Sequence, residues 1–303
     1  MLQRVKDIFF NTPLGNYYWL LRTWPMRKSF PKLHILTIEE TIDKIIKNKL
    51  SISRFGDGEF ILLMEKRDIV FQKLSHKISQ RLFEVINSNA SNHLVCLTSA
   101  LTDRKNYTHY SKTYWVNFLN RYGLDLMNKM MNHKNIYGNA LISRFYLHRK
   151  NKENTILIVE KLKKIWDKQD VLFVEGELSR LGIGNDLFDN AKSIERIICP
   201  AENAFEKYDE ILNKSLEFGK NKLVILALGP TATVLAYDLS QNGIWALDLG
   251  HIDIEYSWFR MNATSHIAVS GKKTAEVSTQ TDFDLSPELK KEYESSIVYK
   301  ISE

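Results

Sequence analysis

The chain has 303 residues, of which 44% are hydrophobic and 26% are charged, and its formal net charge is +6. This composition predicts a globular protein with a packed core and argues against a disordered chain, while no apolar run is long enough for a membrane-spanning helix. Two cysteines, Cys96 and Cys199, lack the spacing of a disulfide framework or a zinc site, which favours a reducing compartment. We therefore expect a cytoplasmic protein.

The first segment, residues 1–35, combines basic and aromatic side chains. It holds six lysines and arginines against one acidic residue, together with seven aromatic residues. This mixture suits peripheral contact with an anionic membrane surface at its inner face. The alternative is an arm packed on the domain, which Pro13, Gly15 and Pro25 favour because they interrupt a long amphipathic helix. No basic stripe continues beyond this arm, so we expect no nucleic-acid partner.

From residue 36 onward, short apolar runs alternate with longer helical stretches. This alternation predicts an α/β protein with a mostly parallel sheet and helices on both faces. Thr37 and Glu40 form a capping box that predicts a helix ending near Asn48. We divide the chain into the arm, a main domain over residues 36–270 and a polar C-terminal appendage over residues 271–303. Strands are predicted at residues 50–54, 94–98, 171–174, 194–199, 223–228 and 244–249.

The stretch SRFGDGEF, residues 53–60, stands at the exit of the first of these strands. Glycines on both sides of Asp57 predict a bend rather than a helix. In an extended or turning backbone, Asp57 and Glu59 point the same way and could hold one Mg²⁺ or Mn²⁺, with substrate phosphate oxygens completing the coordination. The alternative is an ordinary surface turn, because Asp-Gly is a common turn dipeptide.

Polar residues follow later strands as well, and ligands of a doubly wound sheet bind beyond the carboxyl ends of its strands. After residues 171–174, the run EGELSRLGIGNDLF places Glu177 and Arg180, and Arg180 offers a planar fork to a diphosphate. After residues 223–228, Gly229 and Thr231 could bind phosphate at a helix N-terminus, or simply cap the helix. Neither a GxGxxG nor a GxxxxGK[ST] motif occurs.

The last predicted strand leads into the sequence DLGHID. Its imidazole, His251, could accept a proton or position a phosphate, and the carboxylate of Asp253 two residues later favours a site there. The alternative is a structural histidine. Glu175, Glu177 and Glu202 are further candidate bases of lower rank, and the alternative for each is an ordinary surface charge.

Three long motifs in fixed order resemble the bacterial glycosyltransferases of the GT-D fold. They are SRFGDGE, VEGELSRLGIGNDLFDNAKSIERIICPAENAF and LALGPTATVLAYDLSQNGIWALDLGHIDIEYSW, and they cover most of residues 50–260. The resemblance implies a Rossmann-like domain that transfers a hexose, glucose or galactose, from a UDP-sugar to a glycan acceptor in bacterial glycoprotein or surface polysaccharide synthesis. It also implies that the Asp-x-Glu metal motif of that family lies at Asp57 and Glu59.

The predicted site therefore has a catalytic set and a donor-binding set. Asp57 and Glu59, with Mn²⁺ or Mg²⁺ as the cofactor, join His251 and Asp253 in the catalytic set. Residues 107–149 are predicted to shape the acceptor pocket. Two other functions stay open: an S-adenosylmethionine-dependent methyltransferase, suggested by WALDLGHID, and a non-catalytic scaffold that recruits other glycosyltransferases to the membrane. The donor-binding set comprises Arg54, Glu177, Arg180, Gly229 and Thr231.

Overall fold

A computed structural model describes the chain over residues 32–130, 135–274, 276–277, 280–281 and 283–302. Most of the basic aromatic arm predicted at residues 1–35 lies outside the described residues. The strands are β1 (His34–Ile35), β2 (Ser51–Phe55), β3 (His93–Leu97), β4 (Ile136–Asn139), β5 (Asp170–Gly176), β6 (Ser193–Cys199), β7 (Leu223–Ala227), β8 (Ala246–Asp248) and β9 (Ile297–Lys300).

Helices connect these strands. No helix in the described part of the chain is long and apolar enough to cross a bilayer. The helices are α1 (Ile38–Asn48), α2 (Asp57–Leu63), α3 (His76–Ile86), α4 (His109–Lys129), α5 (Thr155–Trp166), α6 (Tyr208–Phe218), α7 (Pro230–Gln241), α8 (Ile252–Arg260) and α9 (Pro287–Ser295). Short 3₁₀ helices lie at Ser99–Leu101, Ala140–Ser143 and Ala204–Lys207.

Within the described residues the nine strands form one sheet in the order β1-β4-β3-β2-β8-β7-β5-β6-β9. All the pairings are parallel. From β2 the chain moves outward to β3 and β4, whereas β5, β6 and β7 lie beyond β8 on the other side. The order therefore reverses between β2 and β8, and this switch point is where a doubly wound sheet binds its ligand.

Both faces of the sheet are covered, which confirms the predicted fold class. In β5, Leu172 and Val174 pack in one apolar cluster with residues of α2, α3, α4, α6 and α7. Their neighbours Val171 and Phe173 pack in a second cluster with residues of α1, α5 and α8. Because successive side chains of a strand point to opposite faces, a central strand buried on both faces is apolar throughout, as β5 is at these positions.

The predicted strands are confirmed to within a few residues, and α1 begins with the predicted capping box of Thr37 and Glu40. The bend predicted around Asp57 is wrong, because Asp57 is the first residue of α2 and Gly56 is its N-cap. Glycine is an acceptable N-cap residue, so a glycine beside a carboxylate can begin a helix as readily as a turn.

The C-terminal segment predicted as an appendage contributes to the sheet. Ser286 caps α9 by accepting a hydrogen bond from the Leu289 amide. The chain then forms β9, which pairs in parallel with the outer edge of β6. Tyr293 of α9 packs against Ile183 and Ile198, so this segment covers the far end of the sheet rather than extending away from it.

Candidate active site

A cavity of about 550 Å³ opens at the carboxyl ends of the strands, across the switch point between β2 and β8. This volume is in the range of small-molecule binding sites, roughly 300–1,000 Å³. The strand ends that reach it carry Asp57 after β2, Thr98 after β3, Gly229 after β7 and His251 after β8. The predicted convergence of strand ends therefore holds for Asp57, Gly229 and His251, whereas Thr98 was not predicted.

Asp57 is an exposed carboxylate that lines this cavity. As the first residue of α2 it lies at the positive end of the helix dipole, where a carboxylate is favourable. The hydroxyl of Tyr114, from α4, donates a hydrogen bond to its Oδ2. Burial and the Asp57 charge raise the pKa of Tyr114, so the phenol remains a donor at neutral pH. Asp57 is thus oriented by one neighbour while still facing the cavity.

Glu59 also lines the cavity, but its side chain turns back to the start of α2. Its Oε2 accepts a hydrogen bond of 2.8 Å from the Gly56 amide. Burial, followed by the charge of Asp248, raises its pKa to about 7. Residues two apart on a helix point about 200° apart, so the expected parallel alignment of Asp57 and Glu59 is wrong.

The fit to a divalent ion rests on the chemistry of these donors. Among the described residues, no three His, Cys, Asp or Glu side chains are grouped as a complete metal site. Mg²⁺ needs less than that, because it is commonly held by one or two carboxylates, substrate phosphates and water. The accessible oxygens of Asp57 meet this requirement by themselves, because the Glu59 carboxylate is turned back toward the Gly56 amide.

Arg54 lines the cavity from β2 and is fixed by the end of β8. Its Nε donates to the Asp248 carbonyl at 2.7 Å, and one terminal nitrogen lies 2.8 Å from Asp248 Oδ1. The other terminal nitrogen donates to Ser143 Oγ. Thr233 of α7 donates to Asp248 Oδ2 at 3.2 Å. The guanidinium is therefore held at the switch point by planar, charge-assisted contacts and keeps a defined orientation.

The turn before α7 lines the cavity through Gly229 and Pro230. Gly229 has a φ of +52°, a left-handed value that favours glycine. Thr231 does not face the cavity: it is fully buried, and its hydroxyl donates to Gln72 Oε1 at 3.4 Å. The predicted phosphate contact of Thr231 is therefore wrong at the level of its side chain, while Gly229 lies where it was expected.

His251 is the N-cap residue of α8 and lines the cavity. Its ring packs against Trp258, with centroids 5.4 Å apart, and its Nε2 lies 3.6 Å from Glu276 Oε2. Burial, and after it the charge of Arg144, lowers the pKa of His251 well below its usual range. The imidazole is therefore neutral at physiological pH.

Asp253 lies at the floor of the cavity with its carboxylate engaged. Oδ1 accepts hydrogen bonds from the Gly182 amide at 2.7 Å and from Asn185 Nδ2 at 2.8 Å. Oδ2 pairs with the ammonium of Lys272, and both side chains are at most 2% exposed. Asp253 therefore joins α8, the glycine-rich turn after β5 and the segment after α8.

Glu177 and Arg180 lie outside this cavity, contrary to prediction. Glu177 is exposed and pairs with Lys300 at 2.7 Å. Arg180 donates to the Gly271 carbonyl at 2.7 Å and lies over the Tyr293 ring. Both residues line a separate cavity of about 470 Å³ against α9 and β9. The turn after β5 thus sends these side chains toward the C-terminal segment.

Several cavity residues were not singled out from the sequence. Tyr107, Tyr110 and Tyr114 come from the region of residues 107–149, for which an acceptor pocket was predicted without naming residues. Their signal is the aromatic density of that region. At the same cavity, Arg144 and Glu276 form an ion pair of 2.7 Å. Other unpredicted lining residues are Arg67, His148, His266 and Lys273.

Comparison with known proteins places the chain in a family. The family model for the glycosyltransferase GT-D fold matches residues 52–277. The probable glycosyl transferase Gly of Streptococcus gordonii is 37% identical over 273 residues, which are 90% of this chain and 39% of that protein. Glycosyltransferase GlyD of Streptococcus pneumoniae is 36% identical over 277 residues, which are 91% of this chain and 33% of that protein. The chain thus spans only about a third or two fifths of these curated relatives.

Two solved structures of similar proteins match nearly the whole chain. One, described as a domain of unknown function 1792 with a distinct glycosyltransferase fold, has a TM-score of 0.85 and 35% identity, covering 95% of this chain and 100% of that one. Another, described as a new glycosyltransferase from Streptococcus sanguinis, has a TM-score of 0.83 and 37% identity, covering 89% of this chain and 100% of that one. With residues 52–277 matched by the family model and nearly the whole chain matched by solved structures, the chain belongs to the GT-D fold family of glycosyltransferases, which are enzymes.

Proposed function

We propose that this glycosyltransferase is metal-dependent and transfers a hexose, glucose or galactose, from a UDP-sugar to a glycan acceptor. The observation that carries the proposal is Asp57, an exposed carboxylate at the first turn of α2, facing a cavity at the switch point of the sheet. Carboxylates in such a place attract the divalent ion that accompanies a nucleotide diphosphate. We propose bacterial glycoprotein or surface polysaccharide precursors as the acceptor class.

In this proposal Asp57 is the main protein ligand of Mn²⁺ or Mg²⁺, and Glu59 holds the first turn of α2 in place by accepting a hydrogen bond from the Gly56 amide. A bound divalent ion would stabilise the negative charge that develops on the leaving diphosphate. Arg54 adds a positive group at the end of β2, and its ion pair with Asp248 fixes the orientation of that group. Gly229 leaves the backbone before α7 open to a phosphate at a helix N-terminus.

The two remaining members of the predicted catalytic set take different roles. A strongly lowered pKa makes His251 a weak base, so we propose that its neutral imidazole accepts a hydrogen bond from a substrate hydroxyl. Asp253 has both oxygens engaged in the closed part of the cavity, so we propose that it positions α8 and does not remove a proton. Glu177 and Arg180 have no part in this donor site.

The acceptor side of the proposal rests on α4. Tyr110 is 71% exposed and lines the cavity, although a ring of this size is commonly half-buried or more. An exposed ring at a cavity mouth suits stacking against the apolar face of a sugar. Cytoplasmic placement and membrane contact through residues 1–35 remain predictions.

The methyltransferase alternative has lost its support. It rested on the likeness of WALDLGHID to the strand and acidic turn of such an enzyme, but Asp248 in that stretch is 2% exposed and is held by Arg54 and Thr233. Family membership also points to sugar transfer. The scaffold alternative is separated from the enzyme by the experiment that follows.

The test measures Mn²⁺-dependent release of UDP from UDP-glucose and UDP-galactose, with and without glycan acceptors. We expect Asp57→Asn to lower the rate at least ~100-fold, as loss of a group that stabilises transition-state charge commonly does. Asp43→Asn is the matched control, because Asp43 is an exposed acid outside the cavity that pairs with Lys161. Wild-type rates in Asp57→Asn would refute the proposal, and wild-type protein that releases no UDP from any donor would favour the scaffold.

A further inference from the structure

The cavity has a second polar region, formed by three imidazoles from separate parts of the chain. His148 follows the 3₁₀ helix after β4, His251 begins α8, and His266 lies in the segment after α8. Arg144 and Glu276 complete the region with their 2.7 Å ion pair. We call these five residues the imidazole wall.

Ring contacts hold the imidazoles of the wall in place. The ring centroid of Trp258 lies 5.4 Å from that of His251 and 5.1 Å from that of His266. His148 and His266 are 5.7 Å apart by the same measure. Ser111 Oγ lies 2.9 Å from His148 Nδ1 and fixes that ring further. The wall is therefore organised before any ligand binds.

Two nitrogen atoms of the wall are available to a ligand. Nε2 of His266 is buried and has no hydrogen-bond partner among the described residues. Nε2 of His251 is also buried without a hydrogen bond there, and Glu276 Oε2 lies 3.6 Å from it, beyond hydrogen-bond distance. A buried polar atom left without a partner destabilises the protein. A ligand that supplies hydrogen bonds to both atoms would remove this destabilisation.

The chemistry of that ligand follows from the charge of the wall. Burial lowers the pKa of His148 to about 4 and also lowers the pKa values of His251 and His266, so the three rings are neutral. Arg144 is already paired with Glu276, which leaves little net charge for an ion to bind. No three metal-binding side chains within the described ranges are grouped as a site, which argues against a histidine metal centre. Neutral rings with one donor and one acceptor each suit a neutral polyol.

The wall lies next to the proposed diphosphate site. A terminal nitrogen of Arg54 donates to Ser143, the residue before Arg144. On the other side, a Cβ placed on Gly250, the residue before His251, would come within 2.7 Å of Arg54. Arg54 thus adjoins the wall through Ser143 and Gly250, and Asp57 follows Arg54 three residues later at the start of α2. A sugar attached to a diphosphate at Asp57 would extend toward the wall.

We propose that the imidazole wall binds the hydroxyl groups of the hexose carried by the nucleotide donor, and thereby distinguishes the sugar nucleotide from the free nucleotide. This inference rests on the proposed function. Its specific content is that His251 and His266 contact the sugar and not the UDP part of the donor.

The experiment compares the affinities of UDP and UDP-hexose by calorimetry in the presence of Mn²⁺. His266→Phe keeps a ring against Trp258 and removes the nitrogen, while His266→Gln restores a polar group near the position of Nε2. We expect His266→Phe to weaken UDP-hexose binding about tenfold, equivalent to about 1.4 kcal/mol, and UDP binding less than about twofold. We expect His266→Gln to recover most of the loss.

The matched control is His76→Phe, because the His76 side chain is 84% exposed and pairs with Glu65 outside the cavity. Thermal unfolding of each variant checks that the fold is intact. Equal loss for UDP and UDP-hexose, or no loss for either, would overturn the inference while leaving the proposed function standing. Wild-type protein that binds neither UDP nor UDP-hexose would instead refute the proposed function.

Discussion

Asp57 and Asp253 occupy corresponding places in the fold and have opposite surroundings. Each lies in the first turn of a helix that follows one of two neighbouring strands, β2 and β8. Asp57 is exposed and accepts a hydrogen bond from the Tyr114 hydroxyl, whereas Asp253 is 1% exposed and accepts from three donors. Placement after a strand thus brings a carboxylate to the cavity, but the groups around it decide whether it can act on a ligand.

This comparison predicts opposite effects on stability, and the largest one concerns Asp253. Asp253→Ala leaves the Lys272 ammonium buried without its partner, so we expect the free energy of unfolding to fall by about 3–5 kcal/mol. Asp57→Ala should change it by less than about 0.5 kcal/mol, because an exposed residue contributes little. Urea unfolding at pH 7 measures both values.

A milder substitution, Asp253→Asn, allows the measurement if Asp253→Ala does not fold. Asp253→Asn keeps an oxygen for the Gly182 amide and for Asn185, while it removes the charge that Lys272 faces. We expect a smaller loss for Asn than for Ala. Equal stabilities for Asp253→Asn and wild type would contradict the structural role of the carboxylate.

We expect Glu276 to contribute less to stability than Asp253 and more than Asp57, and its contribution depends on pH. Burial alone would raise its pKa, but the adjacent His251 and Arg144 hold it at about 2. Because the lowered pKa of His251 leaves that ring neutral, we assign the effect to Arg144. A carboxylate with a lowered pKa stabilises the fold above its unfolded value near 4.5, and this contribution disappears as pH falls through the folded value.

We therefore expect Glu276→Gln to lower the free energy of unfolding by about 2 kcal/mol at pH 7 and by clearly less at pH 3.5. Denaturant unfolding at the two pH values gives the difference. Glu160→Gln, at an exposed position of α5, is the control and should show little effect at either pH. A loss that is the same at both pH values would mean that the Arg144 ion pair is not its cause.

Local patterns were sufficient for much of the fold. The apolar runs predicted the main strands, and the capping box predicted the start of α1, because both signals involve residues close in sequence. The same holds for Asp57 and Gly229, which follow buried strands directly. The start of α2 was misjudged because Gly56 can cap a helix as well as turn a chain.

The rest of the site depends on contacts between distant residues. Glu177 and Arg180 also follow a strand, yet α9 and β9 lie beside that turn and bind both side chains. No local sequence pattern predicts that the C-terminal segment returns to the edge of the sheet. The imidazole wall was missed for the same reason, since His148, His266 and Glu276 are brought together only by the folded chain.

The smallest expected effect concerns how readily a metal ion reaches the Asp57 carboxylate. Tyr114→Phe removes the hydroxyl that donates to Asp57 and keeps the ring that stacks near Phe118. A hydrogen bond to a ligating carboxylate fixes its orientation, so its loss weakens metal binding, commonly about tenfold or more. We expect a weakening of about three- to tenfold in Mn²⁺ affinity, measured by electron paramagnetic resonance with UDP present. We expect this loss of affinity to be small because the exposed Asp57 carboxylate can reorient toward a bound ion. Tighter Mn²⁺ binding by Tyr114→Phe would contradict this expectation. It would mean that the Tyr114 hydroxyl competes with the ion for Asp57 Oδ2 and must be displaced before the ion binds.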